Sequence, residues 1–193
     1  RKVNVPEWYI GSCKKIKYMF PKAHAAAYVI SALRLCWYKV YKPLEFYCAY
    51  FTARPEDVDA PILMKGHDAV KRYIREIKEK GKEASKKELD VLDNMYIFNE
   101  MLSRGIKILP ISLEKSHAVK FIPEKDGMRL PFGSISGMGD KAAYDVYETA
   151  QRGGFVSVED FQVESGVSKS IIQSLVDLGV MKDLPETNQM SMF

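Results

Sequence analysis

Apolar residues recur at helical spacing from Ala26 through Ile30, Leu33 and Trp37 to Val40, and Pro21 stands where that pattern begins. Proline's missing N–H is unpaired at a helix start anyway, so the pattern predicts a helix from Pro21 to about Tyr41. Pro43 interrupts it, and Leu44-Glu45-Phe46-Tyr47-Cys48-Ala49-Tyr50-Phe51 reads as a second, aromatic-rich helix ending before Arg54-Pro55. Two helices joined at a proline are expected to form a compact lobe. The stretch 55–61, with two prolines and three acids, reads as a linker or domain boundary.

Beyond it, Val70, Tyr73, Ile74 and Ile77 define the inner face of an amphipathic helix over Lys65–Lys82, and a further helix runs from Leu89 to Arg104 with Gly105 as its C-terminal cap. The mixed-sign run Lys78–Lys87 between them reads as a solvated bend. The period then shortens. Ile106–Leu109, Ala118–Ile122 and Met128–Leu130, with Lys125-Asp126-Gly127 as a turn, predict a small strand pair too slight to be a domain. Residues 131–184 are rich in hairpin signals, and the tail from Leu184 has no period. The expected fold is mainly α (α+β), with one small β element.

Composition narrows the class without changing this outline. The 193 residues are 47% hydrophobic and 28% charged, enough for a core in one or two modest domains. Arg1 in place of an initiating methionine, with no signal-peptide pattern, points to a piece of a longer chain. Cys13, Cys36 and Cys48 are far apart and never C-x-x-C, which argues against a zinc ribbon or a disulfide framework and for reduced, cytoplasmic thiols. The apolar run Ala23–Tyr41 includes His24, Arg34 and Lys39, charges that a bilayer core makes expensive, so no membrane partner is expected.

The net charge of +4 conceals a gradient. Residues 1–55 carry ten lysines and arginines against Glu7 and Glu45, net +8, whereas residues 128–193 carry five bases against nine acids, net −4. A basic, tyrosine-rich block points to nucleotide or nucleic acid; a solvated basic face without a partner is the alternative. Within that block Lys22, His24 and Tyr28 stand among small alanines, with His24 and Tyr28 four apart on one helix face. A cation, an imidazole and a phenol suit a flat anionic ligand; a helix start with a capped histidine and a buried tyrosine is the plain alternative.

Gly137-Met138-Gly139 directly precedes a predicted helix in Ile135-Ser136-Gly137-Met138-Gly139-Asp140-Lys141-Ala142-Ala143. Two glycines there expose backbone N–H groups at the positive helix end, a seat for an anion. With an apolar residue between the glycines and Ala142 three beyond the second, the spacing is the core of a helix-hairpin-helix, which grips DNA phosphates without reading bases. A dinucleotide fingerprint is the rival, but its third glycine and the preceding parallel-strand pattern are missing. Gly166-Val167-Ser168-Lys169 reads as a second, degenerate hairpin acting as a packing partner. The tail ends Gln189-Met190-Ser191-Met192-Phe193, whose apolar residues suit docking into another protein's pocket; folding back on its own domain is the alternative.

Four landmarks in order, Phe20-Pro21-Lys22-Ala23-His24-Ala25-Ala26-Ala27-Tyr28, Arg104-Gly105-Ile106-Lys107-Ile108-Leu109-Pro110, the Ser136–Gly139 hairpin and the Gln189–Phe193 terminus, resemble the carboxy-terminal portion of a bacterial C-family replicative DNA polymerase, of the PolC-type DNA polymerase III alpha-subunit kind found in Gram-positive bacteria. Ser136 departs from the proline that helix-hairpin-helix turns often carry.

The resemblance implies that residues 1–53 are the end of a fingers domain, where Lys22, His24 and Tyr28 face the incoming deoxynucleoside triphosphate (dNTP). It implies that 54–184 form a duplex-binding domain with helix-hairpin-helix motifs at about 131–184, where Gly137, Met138, Gly139 and Lys141 hold template-primer DNA. Residues 185–193 are then a flexible tail whose Gln189, Met190, Ser191, Met192 and Phe193 bind the sliding clamp (beta subunit). The implied activity is that of a DNA-directed DNA polymerase, a nucleotidyltransferase of DNA replication. Its Mg2+ ions are held by palm aspartates in the rest of the polymerase chain, so this segment carries no catalytic residue and is expected to be inactive alone. The alternatives are a free-standing helix-hairpin-helix scaffold with a docking tail, and a nucleotide-binding regulator.

Overall fold

The computed structural model describes residues 4–16, 21–54 and 58–187. It is mainly helical with one three-stranded sheet, and the chain divides into two compact units, 1–42 and 43–193.

The first unit holds α1 (Glu7–Lys15) and α2 (Lys22–Tyr41). Pro21 is the residue just outside α2 rather than its first helical residue, and its carbonyl accepts the Ala25 N–H at 3.1 Å. Neither helix buries a residue. Leu33 and Trp37, on the expected apolar stripe, are 63% and 51% exposed.

The second unit begins at Pro43. Its first helix, α3 (Pro43–Thr52), is short and apolar because Pro43 pre-sets the first turn and Tyr47, Cys48 and Phe51 fall on one buried face. Phe51 stacks on Phe98 with ring centroids 3.7 Å apart, and Phe121 lies 5.6 Å from Phe51. Such ring pairs contribute roughly 0.5–1.5 kcal/mol beyond their buried area. The Phe121 N–H donates to Thr52 Oγ1 at 3.0 Å. The compact lobe expected of α2 with α3 is therefore corrected: the aromatic face of α3 is packed by α6 and the loop before β2.

The expected linker ends in structure. Asp59 Oδ1 accepts the Ile62 N–H at 3.1 Å and starts α4 (Ala60–Met64), which buries Ala60 and Leu63; residues 55–57 lie outside the described residues. Helix α5 (His67–Lys80) buries Val70, Ile74 and Ile77 as its period requires. Helix α6 (Lys86–Ser103) starts three residues before its expected beginning because Ser85 and Glu88 form a capping box. Lys80 Nζ reaches Glu88 at 2.5 Å, and with the Ser85 bonds it holds the Glu88 carboxyl down at about 2. At the other end, Gly105 (φ +83°) donates to Leu102 and Ile106 donates to Met101, the paired bonds that end a helix at a left-handed glycine.

The sheet has the order β1-β3-β2, from β1 (Ile108–Leu109), β2 (Ile122–Glu124) and β3 (Gly127–Arg129). β2 and β3 form the expected hairpin, while β1 runs parallel to β3 with Ile108 beside Met128. Ala118–Phe121 is not the strand that its alternation suggested. His117 Nδ1 accepts the Val119 and Lys120 N–H groups, each at 3.2 Å, and curls that stretch so that Ala118 and Phe121 are buried.

Burial, with the Lys120 charge, pushes the His117 imidazole below its usual 6.5. A lowered folded-state value means that the unfolded chain binds this proton more readily, so the contribution is present above 6.5 and fades as pH falls. Urea midpoints are expected to drop between pH 7 and 5.5, and a His117→Asn variant is expected to lose that component.

Candidate nucleic-acid interface

The 3-10 turn Phe132–Ser134 leads into the first glycine pair. Met138 N–H donates to the Ile135 carbonyl at 3.0 Å, closing a four-residue turn, and Gly137 at its third position has φ +83°. That is a type II turn, which needs positive φ there. Ser136 occupies the second position, where proline is common; it is exposed and leaves the turn closed.

Met138 points inward and is buried, so its side chain anchors the hairpin and its N–H is already used by the turn. Gly137 and Gly139 are exposed, and among the described residues no partner is recorded for their N–H groups. Gly139 precedes α7 (Asp140–Arg152), which has no side-chain cap, leaving its first-turn N–H groups outward beside exposed Lys141. Asp140, in the same turn, satisfies the helix dipole at the expense of anion affinity. A cleft of about 340 Å³ beside this hairpin is lined by Lys87, Gly137 and Gly139 together with Asp59 and Asp140.

The second hairpin shares the first one's order of left-handed glycine, buried apolar residue and extended residue. Its glycine, however, ends a helix, Gly166 N–H donating to the Gln162 carbonyl at 3.0 Å, rather than sitting in a closed four-residue turn. Between α8 (Val158–Ser165) and α9 (Lys169–Asp177), Gly166 has φ +66°, Val167 is buried as Met138 is, and Ser168 takes φ −66° and ψ 153°, close to the −73° and 163° of Gly139. Ala143 and Val146 on α7 correspond to Ile172 and Leu175 on α9, all buried. Ser168 forms no cap bond to the α9 backbone, and the first turn of α9 has no acid. Ser168 and Lys169 thus stand at an open helix start, in the stretch that reads in sequence as a degenerate hairpin acting as a packing partner. Their signal was the shared spacing of small residue, apolar residue, small residue ahead of an amphipathic helix.

In the first unit, Lys22, His24 and Tyr28 share the exposed start of α2. The His24 and Tyr28 rings meet edge to face at 4.6 Å, and Tyr28 is 65% exposed, so the buried-tyrosine alternative fails. No acid lies in the first turn of α2, and Lys22 stands at its positive end, an arrangement that costs the isolated helix roughly 0.3–1 kcal/mol. Lys14 and Lys15 close α1 at its negative end, where they are stabilising. Lys17, Phe20 and the whole docking motif Gln189–Phe193 lie outside the described residues.

Other chemistries find little support. All three cysteines are free, and burial raises the Cys48 thiol to about 12, which makes it inert as a nucleophile. Among the described residues no three His, Cys, Asp or Glu side chains converge as metal ligands do. Among the same residues no helix is long and apolar enough to cross a membrane.

Residues 105–190, spanning the sheet and both hairpins, match the family described as helix-hairpin-helix motif. The chain is also 46% identical over 98% of its length to DNA polymerase III PolC-type of Streptococcus sanguinis, 45% over 100% to that of Clostridium perfringens, and 47% over 98% to that of Listeria innocua. It is therefore homologous over nearly its whole length to a portion of the PolC-type DNA polymerase III proteins, and it spans about 13% of the length of each of these relatives.

Proposed function

We propose that this chain is the part of a replicative DNA polymerase that grips the template-primer duplex, helps bind the incoming dNTP and docks the sliding clamp. The observation carrying the duplex role is the pair of like hairpins, Ile135–Lys141 and Ser165–Lys169, each presenting a glycine turn, an open helix start and a lysine. Backbone donors at two such seats engage successive phosphates, and neither seat offers side chains that read base edges. Gly137, Gly139 and Lys141 serve one seat, Ser168 and Lys169 the other, with Met138 as the buried plug.

Lys22 and His24 pair with triphosphate oxygens, and Tyr28 packs on the sugar or base. This reading is supported by their common exposed face and the uncapped helix start. Residues 1–53 act as the end of the fingers and 54–184 as the duplex-binding domain; α3 shares the second unit's core and so joins the two roles. Gln189–Phe193 enters the clamp pocket, with Met192 and Phe193 as anchors. The nucleotidyl transfer itself needs Mg2+ bound by residues outside this segment, so the segment alone is inactive, and it works in the cytoplasm.

Duplex binding by the full-length protein is expected to be independent of sequence and steeply salt-dependent. The double variant K141E/K169E is expected to weaken binding to all duplexes about equally and flatten the salt slope by about one per lysine. Sequence-selective binding, or an unchanged slope, overturns the hairpin role. A gel shift on plain duplex separates this function from that of a nucleotide-binding regulator.

A further inference from the structure

The last described residues are held by the second hairpin. The first three helical residues of α8 have N–H groups with no intrahelical partner, and each is bonded: Asp160 donates to Ser157 Oγ at 3.1 Å, Val158 to the Pro185 carbonyl at 2.9 Å, and Glu159 to the Glu186 carbonyl at 3.1 Å. The chain after α9 thus caps α8 with its own backbone. Leu184, half-buried, packs on the core, and its N–H donates to Met181, itself buried. Asp160 Oδ2 also accepts the Val156 N–H at 3.0 Å, tightening the same helix start. Pro185 cannot donate and has a fixed φ, which favours this extended crossing. The tail expected to be flexible from residue 185 is anchored through Glu186.

From Glu186 to Gln189 the chain has three residues to travel, at most about 10–11 Å fully extended. We propose that the Pro185–Glu186 strap is a short fixed stalk that sets where the docked clamp lies relative to the two hairpins, so that duplex and clamp are held together at high effective concentration. The proposal rests on the docking role of Gln189–Phe193 given above. The stalk adds no contact with the clamp; its effect is to make the second binding event local.

Two changes to the full-length protein test it. Inserting twelve Gly/Ser residues between Glu186 and Thr187 makes the tether about five times longer and, by the −3/2 power dependence on length, lowers the effective concentration about tenfold. Val158→Pro removes the donor to Pro185 while leaving α8 able to form, because the first helical position accepts proline and Ser157 before it is already extended (φ −149°, ψ 169°); Val158→Ala controls for lost packing.

Binding to primed duplex is measured with and without clamp, and clamp binding is measured without DNA. The insertion is expected to leave both single affinities within about twofold and cut the clamp's enhancement of duplex binding about tenfold. Val158→Pro is expected to cut that enhancement severalfold, and Val158→Ala to leave it unchanged. Full enhancement in the insertion variant, with normal clamp binding, overturns the stalk alone. A protein whose clamp affinity without DNA survives deletion of Gln189–Phe193 overturns the docking role on which the stalk rests.

Discussion

Gly127→Ala is expected to destabilise the second unit by about 3–5 kcal/mol, the sum of a strained positive φ and a steric overlap that cannot relax cheaply. A β-carbon at this position stands 2.2 Å from the Lys107 carbonyl oxygen and 2.9 Å from the Lys107 carbonyl carbon, and the glycine has φ +155°. The obstacle is backbone, held in place because Met128 donates to that same Lys107 carbonyl at 2.9 Å and Leu130 to Leu109 at 3.2 Å. The parallel β1–β3 pairing must therefore open, exposing Met128 and Leu130, both fully buried. Urea unfolding of the variant is the measurement. A midpoint within the error of the unmodified protein contradicts the close approach of the two strands.

For nucleotide binding, Tyr28→Ala in the full-length enzyme is expected to weaken apparent dNTP affinity by roughly one to two decades, since stacking on an aromatic ring contributes ~1–3 kcal/mol. The variant isolates binding from folding: Tyr28 is largely exposed and α2 buries no residue, so stability is expected to move by less than about 0.5 kcal/mol. The ring also meets His24 edge-on, and its loss frees the imidazole to take other rotamers. Unchanged dNTP affinity removes Tyr28 from the site, and a large loss of stability assigns it to packing instead.

Several features were readable without any fold. Pro21 and Pro43 mark helix starts through their fixed φ, Gly105 ends α6 because a left-handed residue is needed there, and the Gly137-Met138-Gly139 spacing places an open helix start before α7. The buried stripe of α5 follows directly from its period. The Ser85–Glu88 capping box was equally local, but it lay inside a charge run that also suited a solvated bend.

Other features depended on partners distant in sequence. α3 reads in sequence as the second helix of a lobe with α2, and only the stacking of Phe51 on Phe98 assigns its rings to the second unit. Gly127 reads as a turn residue after Asp126, whereas its steric demand comes from Lys107, twenty positions away. Ala118–Phe121 alternates like a strand, but two N–H groups bonded to His117 curl it.

The opening landmark, Lys22 with His24 and Tyr28, keeps its shared helical face in the structure, set by four-residue spacing alone. The turn glycines Gly137 and Gly166 likewise follow from φ requirements acting within a few residues. What the tertiary structure decided was the equivalence of the second hairpin, where burial of Val167, Ile172 and Leu175 matches that of Met138, Ala143 and Val146, and the capping of α8 by Pro185 and Glu186. Short-range sterics and backbone hydrogen bonding specify helices, turns and their ends from neighbouring residues. Which face is covered, and which open N–H group meets a carbonyl more than twenty residues away, depends on packing that brings those groups together.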